Sequence, residues 1–232
     1  DGKPLPVFSP GQFLTFQLQI PGQVQPVVRC YSLSDSPYHT DRYRVSIKKV
    51  PAPRNEPSAP PGLVSNYFHD SLNEHDIINV KAPSGQFYLD LNEKTPVVLL
   101  SGGVGITPVL SMLNALVEMD SQREIWFFLG VRDKTEHVMK DHLEKMGREN
   151  PNVNLKIFYS RPGENDLKGE DYHVEGRVTV ENFKPLLPSN NYEFYICAPP
   201  PMVKDLQAGL TSWGVPKTSI HFEAFGAATV KK

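Results

Sequence analysis

The 232-residue chain has only two cysteines, Cys30 and Cys197, and no CxxC pair. It therefore carries no thiolate set for an iron–sulfur cluster or a four-cysteine zinc, and a disulfide is not expected. The seven histidines lack metal spacing as well. His137 and His142 stand five apart, which puts them on different helix faces, and no metal site is expected. No apolar run reaches the length of a membrane span, and the opening DGKPLPVFSP has neither region of a signal peptide, so the default location is cytoplasmic. Neither sign of charge is in excess. A net charge of −2 and a pI near 6.4 give no field that would gather nucleic acid or an anionic membrane, so any bound anion must be held locally. GxGxxG is missing, and so is the P-loop lysine, which disfavours a nucleotide hydrolase.

What is present is ordinary globular composition, with 39% apolar and 22% charged residues, in a chain long enough for two domains. QFLTFQLQI (12–20) and YRVSIKKV (43–50) alternate apolar and polar residues and predict strands, as do INVKA (78–82) and QFYLDL (86–91). One helical pattern, LVSNYFHDSL (63–72), interrupts them, so residues 1–94 read as a small antiparallel β-barrel. The rhythm then changes. PVVLL (96–100), IWFFLGV (125–131), VNLKIFYS (153–160), NYEFYICA (191–198) and SIHFEAF (219–225) read as buried strands alternating with amphipathic helices. Residues 95–232 are therefore expected to form a parallel-sheet α/β domain. PAPRNEPSAPPG (51–62) has five prolines and reads as a loop, either a ligand flap or a surface insertion.

SGGVGITP joins the first buried strand of the second half to a helix, where backbone amides and a helix end can hold phosphate. Gly102, Gly103 and Gly105 permit close approach to the backbone, Thr107 is expected to cap the helix, and Pro108 suits its first position. A ligand-free tight turn is the plainer alternative, but the flanking strand and helix favour a nucleotide. GLVSNY (62–67) reads equally as a second anion site or as simple helix capping.

RCYSLS, GLVSNYF, SGGVGITPVLSML, CAPPPM and HFEAFG occur in the order seen in the ferredoxin–NADP reductase superfamily, over nearly the whole chain. The sequence most resembles the reductase part of flavohemoglobins and of related NADH-dependent iron–sulfur flavoproteins. The resemblance implies an FAD-binding barrel followed by a nicotinamide-nucleotide domain. It sets Arg29 at the flavin pyrophosphate, Tyr31 against the flavin, and Ser32 near flavin N5, with Ser34 close by. Gly62, Val64 and Ser65 correspond to a second pyrophosphate segment, and Gly103, Gly105 and Thr107 to the turn that meets NADH or NADPH. Cys197 corresponds to the cysteine beside the nicotinamide, although Ala198 replaces the family's glycine after it. Glu223 and Phe225 correspond to the returning segment at the reacting edge. Ser32, Cys197 and Glu223 are thus the implied catalytic positions.

The implied activity is hydride transfer from NAD(P)H to FAD, with single electrons passed to a heme or iron–sulfur partner. AATVKK runs on past Gly226, as where related proteins lead into a ferredoxin domain. The opening residues match the middle of the family's barrel, so its first strand is expected to be missing and the chain to be a fragment of a longer polypeptide. A non-catalytic nucleotide-binding regulatory domain is the alternative, prompted by Ala198 and the short barrel. NADH is the expected donor. Ser160 and Arg161 resemble an NADPH-binding pair, but the following PGENDLKGEDYH is rich in acid and would repel a 2′-phosphate.

Overall fold

The computed structural model describes residues 4–53, 56 and 58–225. In the first part, β1 (Phe13–Leu18) lies between β2 (Val27–Ser32) and β3 (Asn79–Ser84), antiparallel to both. Leu14, Phe16 and Leu18 of β1 turn inward and, with Leu33 and Val64, form the core of this layer. Helix α1 (Leu63–Asp70) covers it.

Residues 43–50 do not join the sheet as a strand. One bridge, Leu33 to Val45, is formed. Side chains of α1 take three of the segment's backbone groups: His69 Nε2 bonds Ile47 O, Asn66 Nδ2 donates to Val50 O, and Val50 N donates to Ser65 Oγ. The alternation of Tyr43, Val45 and Ile47 thus reflects partial burial without strand pairing. Residues 86–91 likewise form no strand, although Leu89 N donates to Pro10 O. Phe87 and Leu89 are buried in the core of the second layer, where Phe87 meets Tyr195 edge to face.

The second part is a six-stranded parallel sheet of β4 (Val97–Gly102), β5 (Ile125–Val131), β6 (Val153–Tyr159), β7 (Val174–Glu175), β8 (Glu193–Ala198) and β9 (Ile220–Ala224), in the order β7-β6-β5-β4-β8-β9. Every residue of β4 is buried, as its unbroken apolar run predicts. Alternate residues feed two cores. Leu99, Phe127 and Ile157 pack under α2 (Ile106–Glu118) and α3 (Lys140–Glu149), while Leu100, Phe128 and Ile196 pack under α4 (Val180–Phe183) and α5 (Pro200–Ser212). The chain winds from β4 to β7 on one side and returns to place β8 on the other, so the strand order reverses at β4/β8. In such sheets, ligands lie beyond the carboxyl ends of the strands at that reversal.

The two layers meet at α2. Ser111 Oγ donates to Asp35 O at 2.6 Å, and His39 lies between Asp35 (3.1 Å) and Glu118 (3.3 Å). No helix among the described residues is long and apolar enough to cross a membrane. Gly226 and AATVKK lie outside the described residues.

Candidate functional site

At the reversal, β4 ends in a 3-10 turn (Gly103–Gly105) that runs directly into α2. This moves the helix start earlier than the sequence suggested. Gly105 is the N-cap, and Thr107 does not cap α2: it lies inside the first turn and its hydroxyl donates to Val104 O at 3.2 Å. Pro108 is correspondingly two residues beyond the first helical position. No side chain caps α2, but its first amide, Ile106 N, is bonded back within the 3-10 turn and Pro108 has no N–H, so the amides left without an intrahelical partner are those that open the turn itself.

The glycines differ in function. A Cβ on Gly105 would stand 2.0 Å from Cys197 O, so this glycine lets α2 press on the end of β8. Gly103 has φ +55 and nothing within 4 Å of a Cβ position, so a ligand can reach its backbone. Beside them lies a cavity of about 520 Å³, lined by Gly102, Gly103, Met202 and Phe225 among others. Lys48, Arg132, Glu136, Arg177 and Asp205 give it charged walls.

Cys197 is fully buried and its side chain lies in the core under α2. Burial, helped by Glu223, pushes its thiol well above the usual cysteine range, so it stays protonated. Glu223 sits opposite Cys197 on β9, with Oε2 buried and unpartnered and its carboxyl pushed up by burial. Phe225 N donates to Ala198 O at 3.1 Å, which holds that segment at the strand ends. Ala198 is fully buried in the opposite core, and its methyl faces Gly102, not the cavity. The alanine therefore does not obstruct the ligand side.

The expected flavin residues gather in the first layer. Arg29 is exposed, and its Nη1 donates to Val28 O at 2.7 Å with no carboxylate paired to it among the described residues. Tyr31 is half-buried, edge to face with Phe16 and Phe68, and burial raises its phenol against the pull of Arg29. Ser32 is buried beside it. Ser34 is engaged elsewhere: Ser34 and Ser46 share a hydroxyl hydrogen bond of 2.9 Å, and Arg44 Nη2 donates to Ser34 O at 2.8 Å. At α1, Gly62 is an N-cap without a side-chain cap, and a Cβ there would meet Ser65 Oγ at 2.7 Å. Ser65 Oγ donates to Gly62 O, and the Val64 side chain is in the core, so the helix amides remain for an anion. A free guanidinium, an uncapped helix start and a half-buried aromatic fit a flavin diphosphate. The open Gly103 backbone at the start of the 3-10 turn fits a second, nicotinamide-bearing diphosphate.

The acidic loop does not face the cavity. Asp166 accepts from Gly163 N and pairs with Lys134, and Asp171 pairs with Lys140 at 2.6 Å. Arg161 is exposed and away from the cavity wall, whereas Ser160 and Arg132 line it. Lys48, Glu136, Arg177 and Asp205 were not legible as a group, since they come from four separate segments with no shared motif.

The family described as the oxidoreductase FAD-binding domain matches residues 6–88, and that described as the oxidoreductase NAD-binding domain matches residues 99–208. The chain is 42% identical over 228 residues to the flavohemoprotein of Bacillus anthracis, covering 98% of this chain and 56% of that protein. It is 38% identical to the flavohemoprotein of Bordetella pertussis, covering 99% of this chain and 56% of that one. It thus spans about half the length of the curated relatives it matches. The FAD/NAD-binding domain of nitric oxide dioxygenase from Vibrio cholerae superposes with a TM-score of 0.83 at 26% identity, covering 98% of this chain and 89% of that one. Phthalate dioxygenase reductase, described as a modular structure for electron transfer from pyridine nucleotides to [2Fe-2S], gives 0.72 at 25% identity, covering 99% and 62%. Paired cofactor-domain matches across an antiparallel layer and a doubly wound sheet, with the motif order of the sequence, establish that the chain belongs to the ferredoxin–NADP reductase superfamily, as an FAD- and NAD-binding module of the flavohemoprotein type.

Proposed function

We propose that this chain is the reductase module of an electron-transfer protein, taking hydride from NADH and delivering single electrons to a heme or iron–sulfur centre held by another domain or protein. We place the boundary between its two units at residues 94/95. The cavity at the strand reversal, with the open Gly103 backbone on one wall and Phe225 on another, carries this reading. FAD, when bound, supplies the two-electron acceptor and one-electron donor that the side chains lack.

The polypeptide's part is binding and alignment. Arg29 and the amides opening α1 at Val64 and Ser65 hold the flavin diphosphate, with Gly62, whose own amide donates to Val50 O, turning the chain into the helix, while Tyr31 walls the flavin ring and Ser32 offers a hydroxyl at the ring edge. The Ser34 hydroxyl, shared with Ser46, anchors the strand that carries them. Gly103 and the amides opening the 3-10 turn before α2 take the nucleotide diphosphate. Gly105 sets the height of that helix against Cys197, and Thr107 fixes its first turn. Cys197 acts by position, since its thiol is buried and keeps its proton. Glu223 presents a carboxyl of raised proton affinity opposite Cys197, outside the set of residues that line the cavity.

The test is NADH-dependent reduction of ferricyanide by the FAD-loaded chain, with iron determined in parallel. Turnover without stoichiometric iron is expected. FAD binding without turnover would favour a nucleotide-binding regulatory domain instead.

A further inference from the structure

Asp35 is a buried carboxylate three residues past Ser32, and all three of its oxygens are engaged. Oδ1 accepts from Ser36 N at 3.0 Å and lies 3.3 Å from Arg44 Nη2, while Oδ2 lies 3.1 Å from His39 Nδ1. Its carbonyl accepts from the Ser111 hydroxyl of α2 at 2.6 Å. His39 reaches the same helix a second time, with Nε2 3.3 Å from Glu118 Oε1. Both of these ties from the first layer to α2 therefore run through Asp35. The seam is close at the first of them, because Gly11, with φ +111, leaves room for Met112: a Cβ on Gly11 would stand 2.6 Å from Met112 Cε. Arg44 Nη2 also donates to Ser34 O at 2.8 Å, which joins the Asp35 carboxylate to the chain just beyond Ser32.

We infer that Asp35 is a positioning residue for hydride transfer, setting the tilt of α2, and with it the Gly103 turn, against the flavin-facing end of β2. The inference rests on flavin and nucleotide occupying the sites proposed for them. Ser111 and Glu118 stand about two turns and ~10 Å apart along α2, so together they fix the direction of the helix where one contact would leave a pivot. Gly103 lies roughly 13 Å from Ser111 in the other direction. Slack of about 1 Å at Glu118 thus becomes a shift of about 1 Å at Gly103, and a displacement of that size costs up to about a hundredfold in rate. Phe87 and Leu89, buried in the core of the second layer, keep the layers joined when the ties are cut. The His39–Glu118 contact is partly exposed and adds little to stability, so its effect belongs in the rate.

The experiment mixes the FAD-loaded chain with NADH anaerobically and reads two quantities for the parent and Asp35→Asn: the limiting rate of flavin bleaching and the half-saturating NADH concentration. The amide keeps the size of the side chain and removes the charge that holds His39 and Arg44. The limiting rate is expected to fall about ten- to a hundredfold, with half-saturation and FAD affinity within about threefold of the parent. Adding His39→Gln should slow it no further, since both changes cut the Glu118 tie. If Asp35→Asn does not fold, Ser111→Ala with Glu118→Ala cuts both ties from the side of α2 and carries the same expectation. A limiting rate within about twofold of the parent overturns the inference whatever happens to Tm, and so does a further loss on adding His39→Gln. A slower rate accompanied by weakened FAD binding also overturns it, by making Asp35 a flavin-binding residue. A parent that NADH does not bleach overturns the reading of the site and this inference with it. A bleached parent matched by Asp35→Asn overturns this inference alone.

Discussion

Replacing Gly105 by alanine tests how tightly the nucleotide-binding helix is tied to the sheet. The new methyl would lie 2.0 Å from Cys197 O and 2.6 Å from the carbonyl carbon, both backbone atoms. Ordinary contact begins near 3.4 Å, so α2 and the end of β8 must separate by at least about 1 Å. Neither can yield locally. Residues 106–116 of α2 are all buried, and β8 is hydrogen-bonded on both sides. The cost should reach the upper end for overpacking, about 3 kcal/mol, which lowers Tm by roughly 6–12 °C in a chain of this size. Gly103→Ala is the control. Its left-handed φ costs about 1–2 kcal/mol, but its methyl meets nothing. Differential scanning calorimetry of both variants with the parent decides the matter. A Gly105→Ala protein as stable as the parent, or more stable than Gly103→Ala, would refute the claim that this contact sets the position of α2.

Other outcomes follow from the same geometry. Arg29→Ala should weaken FAD binding about ten- to a hundredfold by equilibrium titration, since a charge-assisted bond to diphosphate is worth roughly 1.5–3 kcal/mol; unchanged affinity removes Arg29 from the site. Burial raises the Glu223 carboxyl, so the unfolded chain ionises first and the parent loses stability as pH rises above the ordinary carboxylate range. Glu223→Gln should therefore have the higher Tm at neutral pH, with the gap closing in acid; a gap independent of pH would contradict this. His137 is depressed from 6.5 to about 4, chiefly by burial, so its share of stability is present above 6.5 and lost as pH falls toward 4. The acid limb of Tm against pH should flatten in His137→Gln, and an unaltered slope would show that His137 does not drive it.

The second layer was legible because its central strands β4, β5 and β8 are buried on both faces, as continuous apolar runs such as PVVLL and IWFFLGV require. β7 and α4, of two and four residues, are too short to show a period and were not foreseen. Residues 43–50 misled because alternation reports which side chains are covered and says nothing of which groups take the backbone hydrogen bonds. Here His69, Asn66 and Ser65 took them. Thr107 misled in a similar way, since a 3-10 turn feeding α2 cannot be told in sequence from a loop ending at a cap. The glycine turn was legible as a site because its chemistry is backbone chemistry encoded in one stretch. The cavity's charged wall was not, because Lys48, Glu136, Arg177 and Asp205 come from separate segments. Of the loop's acids, Asp166 and Asp171 are ion-paired with Lys134 and Lys140, and no residue of the loop lines the cavity.

The central claim is that one chain aligns a reduced nicotinamide with a flavin. It is tested most directly by mixing the FAD-loaded chain with NADH under anaerobic conditions in a stopped-flow spectrometer and following the visible absorbance of the oxidised flavin. Rapid bleaching that saturates with NADH, in an amount stoichiometric with bound FAD and slowed in Gly103→Ala, is the predicted result. A flavin that stays oxidised at saturating NADH and NADPH would contradict the account.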